Sequence, residues 1–292
     1  MPNPTLQRIT ALLLLGVFLW LAAACAYNQP TATSSYTELF YPSGTLRIQA
    51  YLYKPSGEGP FPVAIYSHGK RMGQERRSVP AQHIGMLLTG AGYAALVTER
   101  RGYGRSDGPT WSEEVGNDKG KYVTRLQAET DDVLAALDYL RTLPFVDMQR
   151  IGIMGWSFGG IVTMFAISRS PAFAVAVDQA GGALTWDGNP QVRSALIAAA
   201  ERATTPTLLM VAQNDRTTAS ITTLAEIFRQ RGMSHRIAIY APFTPRRGDP
   251  TTPPGHRVFS VAGMHVWQRD VLEFLGRYLG ARSDQPANHQ AH

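Results

Sequence analysis

The sequence predicts an α/β fold, a mostly parallel sheet covered by helices on both faces. Three observations carry that expectation. Short apolar runs of strand length at residues 61–66, 93–98, 151–154, 173–177, 207–212 and 236–240 alternate with segments of helical periodicity. At residues 150–161 an apolar run meets a sharp glycine-flanked turn and then a helix-like segment. The chemistry-bearing positions Ser67 to Lys70, Ser157 and Asp215 follow such runs, at the C-terminal strand ends where sheets of this kind place their sites.

The chain has 292 residues, seven histidines, one cysteine and a formal net charge of +6. Residues 1–8 carry one positive charge, and residues 9–24 are apolar except for Thr10. Ala22, Ala23 and Ala24 precede Cys25. That is the layout of a bacterial secretory signal, and the apolar run is short for a membrane-spanning helix, which needs about 20 residues. Residues 21–25 resemble a lipoprotein lipobox with Ala22 where leucine is more usual. The expectation is a signal peptide at 1–24 and a lipid on Cys25, with ordinary cleavage as the alternative. The protein would then be secreted to the cell envelope and meet the membrane only through that lipid. A single cysteine allows no internal disulfide. Residues 25–35 read as a polar tether, 36–280 as one domain with a sizeable core, and 281–292 as a polar tail. The mild basic excess has no long Lys/Arg block and no interleaved aromatic platform, so nucleic acid is not an expected partner. No metal-ligand spacing occurs and no cofactor is implied. The sequence says nothing of oligomeric state.

Within the domain, residues 36–41 and 45–53 alternate apolar and polar around Pro-Ser-Gly and predict an edge hairpin. Residues 61–66 form a buried strand that ends in Ser67-His68-Gly69-Lys70. A helix is expected over 79–91, with Gly92 as its stop, and a strand over 93–98. A glycine-rich loop follows from Glu99 to Gly108. Residues 122–142 show helical periodicity through Val123, Leu126, Val133, Leu137 and Leu140, and Pro144 ends that helix. Further helices are expected over 158–168, 192–202, 220–231 and 268–279. A long Pro/Gly-rich loop covers 241–263, and long loops inside compact domains are usually functional or disordered. Only one helix fits between the strands at 173–177 and 207–212, so no large cap is expected there.

Gly155-Trp156-Ser157-Phe158-Gly159 fits G-x-S-x-G in the strand–turn–helix context that the motif requires. The glycines let strand and helix approach, and the serine is lifted toward a helix N-terminus whose free N–H groups favour negative charge. A serine hydroxyl needs a histidine to take its proton and an acid to orient that histidine. Asp215, at the end of an apolar strand, is the candidate acid, with Asp178 as its rival. His235, His256 and His265 all follow Asp215 in the sequence.

These residues resemble the dienelactone-hydrolase-like branch of the α/β-hydrolase superfamily, and more distantly the catalytic domain of prolyl-oligopeptidase-type serine peptidases. The resemblance spans about residues 36–279. It rests on Ser67-His68-Gly69, the Glu99–Gly108 loop, residues 146–160, Asp215 and the C-terminal segment. Glu99 stands where those families have Asp. It implies His256 as the base, from Gly255-His256 with Phe259 ahead of Phe274-Leu275, with His265 as the alternative. It also implies an oxyanion hole from the backbone N–H groups of Phe158 and Lys70. His68 reads as a structural residue rather than a base. Lys70, Arg71, Arg76 and Arg77 suggest a cationic rim, and Trp111, Trp186 and Phe243 are candidate pocket walls. The implied activity is hydrolysis of small or medium carboxylic esters or lactones through an acyl-enzyme. A peptidase or amidase, or a non-catalytic binding protein on the same fold, are the alternatives.

Overall fold

The computed structural model describes residues 36–246 and 251–280. The proposed signal segment, Cys25, the tether and the tail at 281–292 lie outside the described residues. Among the described residues, one eight-stranded sheet runs in the order β1-β2-β4-β3-β5-β6-β7-β8. The hairpin β1 (Thr37–Ser43) and β2 (Leu46–Tyr53) is antiparallel and forms one edge, with β2 also antiparallel to β4 (Ala94–Glu99). The remaining pairings are parallel, through β3 (Phe61–Ser67), β5 (Val146–Trp156), β6 (Val175–Gln179), β7 (Thr207–Ala212) and β8 (His235–Tyr240). Every residue of β3, β4, β6 and β7 is buried, as expected of interior strands covered on both faces. In β8 no residue is fully buried, because it closes the other edge.

Seven helices among the described residues connect and cover these strands: α1 (Gln82–Gly90), α2 (Trp111–Glu114), α3 (Tyr122–Arg141), α4 (Phe158–Arg169), α5 (Pro190–Arg202), α6 (Ala219–Gln230) and α7 (Met264–Leu279). Several bounds differ from those expected. Helix α1 starts three residues late because Pro80 disfavours helix at Val79 and Ala81 sits in the left-handed region at φ 45°. Strand β6 runs two residues further than its apolar run, since Asp178 and Gln179 are buried although polar. The expected 241–263 loop holds two 3₁₀ turns, Pro254–Phe259 and Val261–Gly263. Helix α7 begins directly after them, four residues before the expected start. His265 is therefore inside α7, exposed to solvent, rather than in a loop ahead of it.

Candidate active site

The C-terminal ends of β3, β5 and β7 bring the candidate residues to one end of the sheet. Strand β5 stops at Trp156 and α4 begins at Phe158, so Ser157 takes the whole turn, at φ 59° and ψ −114°. That conformation is costly for a non-glycine residue and persists only where the surroundings enforce it. Here the Ser157 N–H donates to the Gln179 carbonyl at 2.9 Å and the Ser157 carbonyl accepts from the Ile161 N–H at 3.1 Å. The flanking glycines are required by contact. A Cβ on Gly155 would lie 2.2 Å from the Gly159 carbonyl oxygen, and one on Gly159 would lie 2.0 Å from that of Ser67. Helix α4 is thus pressed onto the ends of β3 and β5, and the 68–70 turn is pressed onto the serine: a Cβ on Gly69 would stand 3.2 Å from Ser157 Cβ and 3.9 Å from its Oγ. Neither the Phe158 nor the Lys70 N–H donates to a backbone carbonyl outside its own element among the described residues.

Asp215 follows β7 in a turn closed by its N–H on the Ala212 carbonyl at 3.1 Å. One carboxylate oxygen accepts the Arg216 N–H at 2.7 Å, and the other meets His256 Nδ1 at 2.7 Å. Both side chains are buried. The His256 backbone is set from two sides. Gly255 packs so closely that an added Cβ would fall 2.5 Å from Asp215 N and from the Asn214 carbonyl carbon. Trp156 Nε1 donates to the His256 carbonyl at 3.1 Å, with its ring centroid 5.8 Å from the imidazole. Asn214 also clamps the returning chain, exchanging two hydrogen bonds with the Phe243 backbone at 2.9 and 3.0 Å. With Nδ1–H directed to Asp215, Nε2 is the free basic nitrogen. It is buried, has no hydrogen-bond partner, and belongs to the residue that lines a cavity together with Ser157.

A buried charge network holds the 68–70 turn. Arg100 donates to the His68 carbonyl at 2.9 Å and to Glu129 at 2.7 Å, and Arg125 meets the other Glu129 oxygen at 3.0 Å. Burial alone would raise the Glu129 carboxyl, but the two guanidinium groups hold it below the usual carboxylate range. Glu99 in turn takes Arg71 and the Val79 N–H. His68 Nδ1–H donates to the Gly69 carbonyl at 2.6 Å, and Nε2 accepts from Arg71 at 3.3 Å. Burial, with Arg100 and Arg71 beside it, pushes the His68 ring down to about 4, so it is a neutral strut of the turn.

The cavity measures about 510 Å³ and is walled chiefly by Tyr66, Val79, Tyr122, Trp156, Phe158, Leu184 and Val261. None of the three expected aromatic walls is among the residues lining it. Trp111 is fully buried beneath Lys70, Trp186 is buried, and Phe243 is held away on Asn214. The expected cationic rim also contracts. Arg76 is spent on the Ser106 and Gly108 carbonyls and Arg77 is exposed, leaving Lys70 and Arg71 at the cavity. Asp178, the rival acid, is fully buried and bonds the Gly181 N–H at 2.6 Å with no histidine partner among the described residues; burial pushes it up to about 7. Trp156, Asn214, Arg100 and Glu129 had no role assigned from sequence. Trp156 was marked only by its place beside the serine.

The sequence model of the prolyl oligopeptidase family matches residues 81–187, which include Ser157 and stop short of Asp215 and His256. It is the more distant of the two resemblances drawn from the sequence. A quorum-quenching protein, AidA, of Acinetobacter baumannii is 27% identical over 48% of this chain and 41% of its own. Human dipeptidyl peptidase 8 is 29% identical over 43% of this chain and 14% of its own. The chain thus spans less than half the length of these curated relatives. Among solved structures, the Pyrococcus horikoshii acylaminoacyl peptidase superposes with a TM-score of 0.66 at 19% identity, covering 88% of this chain and 44% of that one. The Pyrococcus furiosus esterase Pf2001 superposes at 0.60 and 16% identity, covering 85% of this chain and 94% of that one. These likenesses establish the α/β-hydrolase fold, with its mostly parallel sheet and flanking helices.

Proposed function

We propose that this α/β-hydrolase fold carries a serine hydrolase that cleaves carboxylic esters or lactones of small to medium size. The observation that carries the proposal is the buried His256–Asp215 pair, whose free Nε2 shares a cavity with the strained Ser157. Ser157 Oγ bonds to the substrate carbonyl carbon as its proton passes to His256 Nε2. Asp215 holds the ring and stabilises the imidazolium. The Phe158 and Lys70 N–H groups receive the developing oxyanion. The C–O bond to the leaving group then breaks, and the alcohol departs with the proton from His256. Water, deprotonated by the same nitrogen, attacks the acyl-enzyme and releases the acid.

Two features favour an ester over the peptides that a dipeptidyl peptidase takes. A free peptide N-terminus is a cation and calls for carboxylates, yet no Asp or Glu is among the described residues that line the cavity. The cavity's charged side chains are instead basic. The peptidase names among the relatives keep an amidase as the second reading.

The test is fluorophosphonate labelling of the purified protein, mapped by mass spectrometry, beside ester and peptide panels. Labelling at Ser157 is expected, with loss in Ser157→Ala and a fall in rate of about 10³-fold or more in His256→Ala. Unlabelled, folded wild type would overturn the activated serine and make a binding protein the leading reading. Loss in His265→Ala alone would move the base. We also carry export and a lipid on Cys25 as proposals, resting on the sequence of residues 1–25. Metabolic palmitate labelling that persists in Cys25→Ser would refute the lipid site.

A further inference from the structure

Lys70 occupies an unusual position for a cation. Its Nζ stands 4.9 Å from the ring centroid of Trp111, 5.3 Å from that of Tyr122 and 5.7 Å from that of Phe158. These three rings come from α2, α3 and α4 and pack on one another, with centroids 4.9 to 5.8 Å apart. Their π faces attract an ammonium without neutralising it, and they accept none of its N–H donors as a carboxylate would. Among the described residues Lys70 makes no ion pair. Arg71, the other basic side chain charged at neutral pH at the cavity, is paired with the buried Glu99. The three lining histidines do not compete. His68 is neutral, His83 is pushed down by burial, and His256 is directed to Asp215. Partial burial also brings the lysine down to about 8, against the opposing pull of the Glu75 and Glu129 carboxylates, and leaves it mostly charged at pH 7.

We propose that Lys70 is the specificity-determining residue of the cavity and binds a carboxylate carried by the substrate, so that the preferred substrates are anionic: half-esters, or lactones and esters bearing a free acid. The proposal rests on the hydrolase reading for its substrate and on the aromatic cradle for its residue. The cradle sets the ammonium in place before the ligand arrives, so a carboxylate meets an ordered donor in a partly dried site. A substrate ammonium meets a like charge that no described carboxylate pairs directly.

The experiment compares the 4-nitrophenyl half-ester of glutaric acid with 4-nitrophenyl butyrate, and the butyryl ester of 4-hydroxybenzoate with that of phenol. One pair places the carboxylate on the acyl side and the other on the leaving side. The quantity read is the anionic-to-neutral ratio of kcat/KM within each protein, because any general effect on the turn cancels in it. In at least one pair, Lys70→Met is expected to lower this ratio about ten- to a hundred-fold, the range of a charge-assisted hydrogen bond. Lys70→Arg should keep most of it and Lys70→Glu should lower it further. Equal ratios in wild type and Lys70→Met for both pairs would overturn the proposal and leave the hydrolase standing. Binding of monomethyl glutarate and of methyl butyrate to Ser157→Ala protein, followed by NMR titration, separates the two readings in the other direction. Tighter binding of the anion, lost on adding Lys70→Met, supports the lysine even if wild type hydrolyses nothing. Equal binding of both compounds overturns it.

Discussion

At the scale of single residues, the site depends on backbone positions as much as on the side chains that would react. His256 can reach Asp215 because Gly255 presses against Asn214 and Asp215 where no Cβ fits. Gly255→Ala should therefore shift the imidazole while leaving every reactive group present. A displacement near 1 Å in a catalytic group costs about 10²-fold. The expected result is a loss of that size in kcat/KM and in fluorophosphonate labelling rate, with a folded protein by circular dichroism. Trp156→Phe is the milder companion, since it removes the Nε1 donor to the His256 carbonyl and keeps an aromatic ring there; about tenfold is expected. Wild-type rates in Gly255→Ala would show that the close approach does not set the histidine.

At the scale of elements, the sheet and its covering helices were legible because interior strands and amphipathic helices leave a periodic imprint. Strand β7 was expected at its observed bounds, and α3 within one residue of them. What escaped lacked that imprint. Helix α2 is four residues long and is marked only by its capping box, Thr110 with Glu113. Helix α7 begins at Met264 with no side-chain cap, because Gly263 is wedged against Val258. The polar end of β6 reads as a loop until its burial is seen. At the site, Ser157 stood out by motif and Asp215 by its place after a strand. The choice among histidines came from resemblance, and the pocket walls depended on loop conformations that no periodicity encodes. Helix α3 also contributes what no pattern announced, the buried Glu129 that ties Arg100 to the 68–70 turn. Removing one member of such a pair leaves uncompensated buried charge and costs roughly 3–5 kcal/mol. Glu129→Gln should lower Tm by on the order of 10 °C and loosen the turn. An unchanged Tm would show that the network is dispensable for the element it joins.

For the whole molecule, the pH dependence of stability sets two buried groups against each other. Asp178 is raised to about 7 by burial, with one carboxylate oxygen unpartnered, so from about pH 4 to 7 the folded chain holds a proton that the unfolded chain has released. Stability falls with rising pH over that window. His68 is lowered to about 4, so from about pH 4 to 6.5 the unfolded chain holds the proton and the folded one does not. Stability rises with pH there. The two shifts are of similar size and opposite sign, which predicts a flat contribution from the pair in wild type. Asp178→Asn removes one side. The amide can still accept the Gly181 N–H and has no charge to bury. Denaturant unfolding should then show the variant gaining about 2–4 kcal/mol on wild type between pH 4.5 and pH 7.5, with the rising limb of His68 exposed. Parallel profiles for the two proteins would mean that Asp178 is ionised in the fold and that its burial is compensated elsewhere. The same contrast bears on catalysis. Two carboxyls lie at the ends of successive strands of one sheet, and among the described residues a histidine meets only one of them. A neutral Asp178 would serve the packing of α4 against Gly181, whereas Asp215 faces the imidazole whose charge would rise and fall in the proposed reaction. Asp178→Asn should accordingly leave fluorophosphonate labelling within a few-fold of wild type at neutral pH, while Asp215→Asn lowers it by about 10³-fold or more.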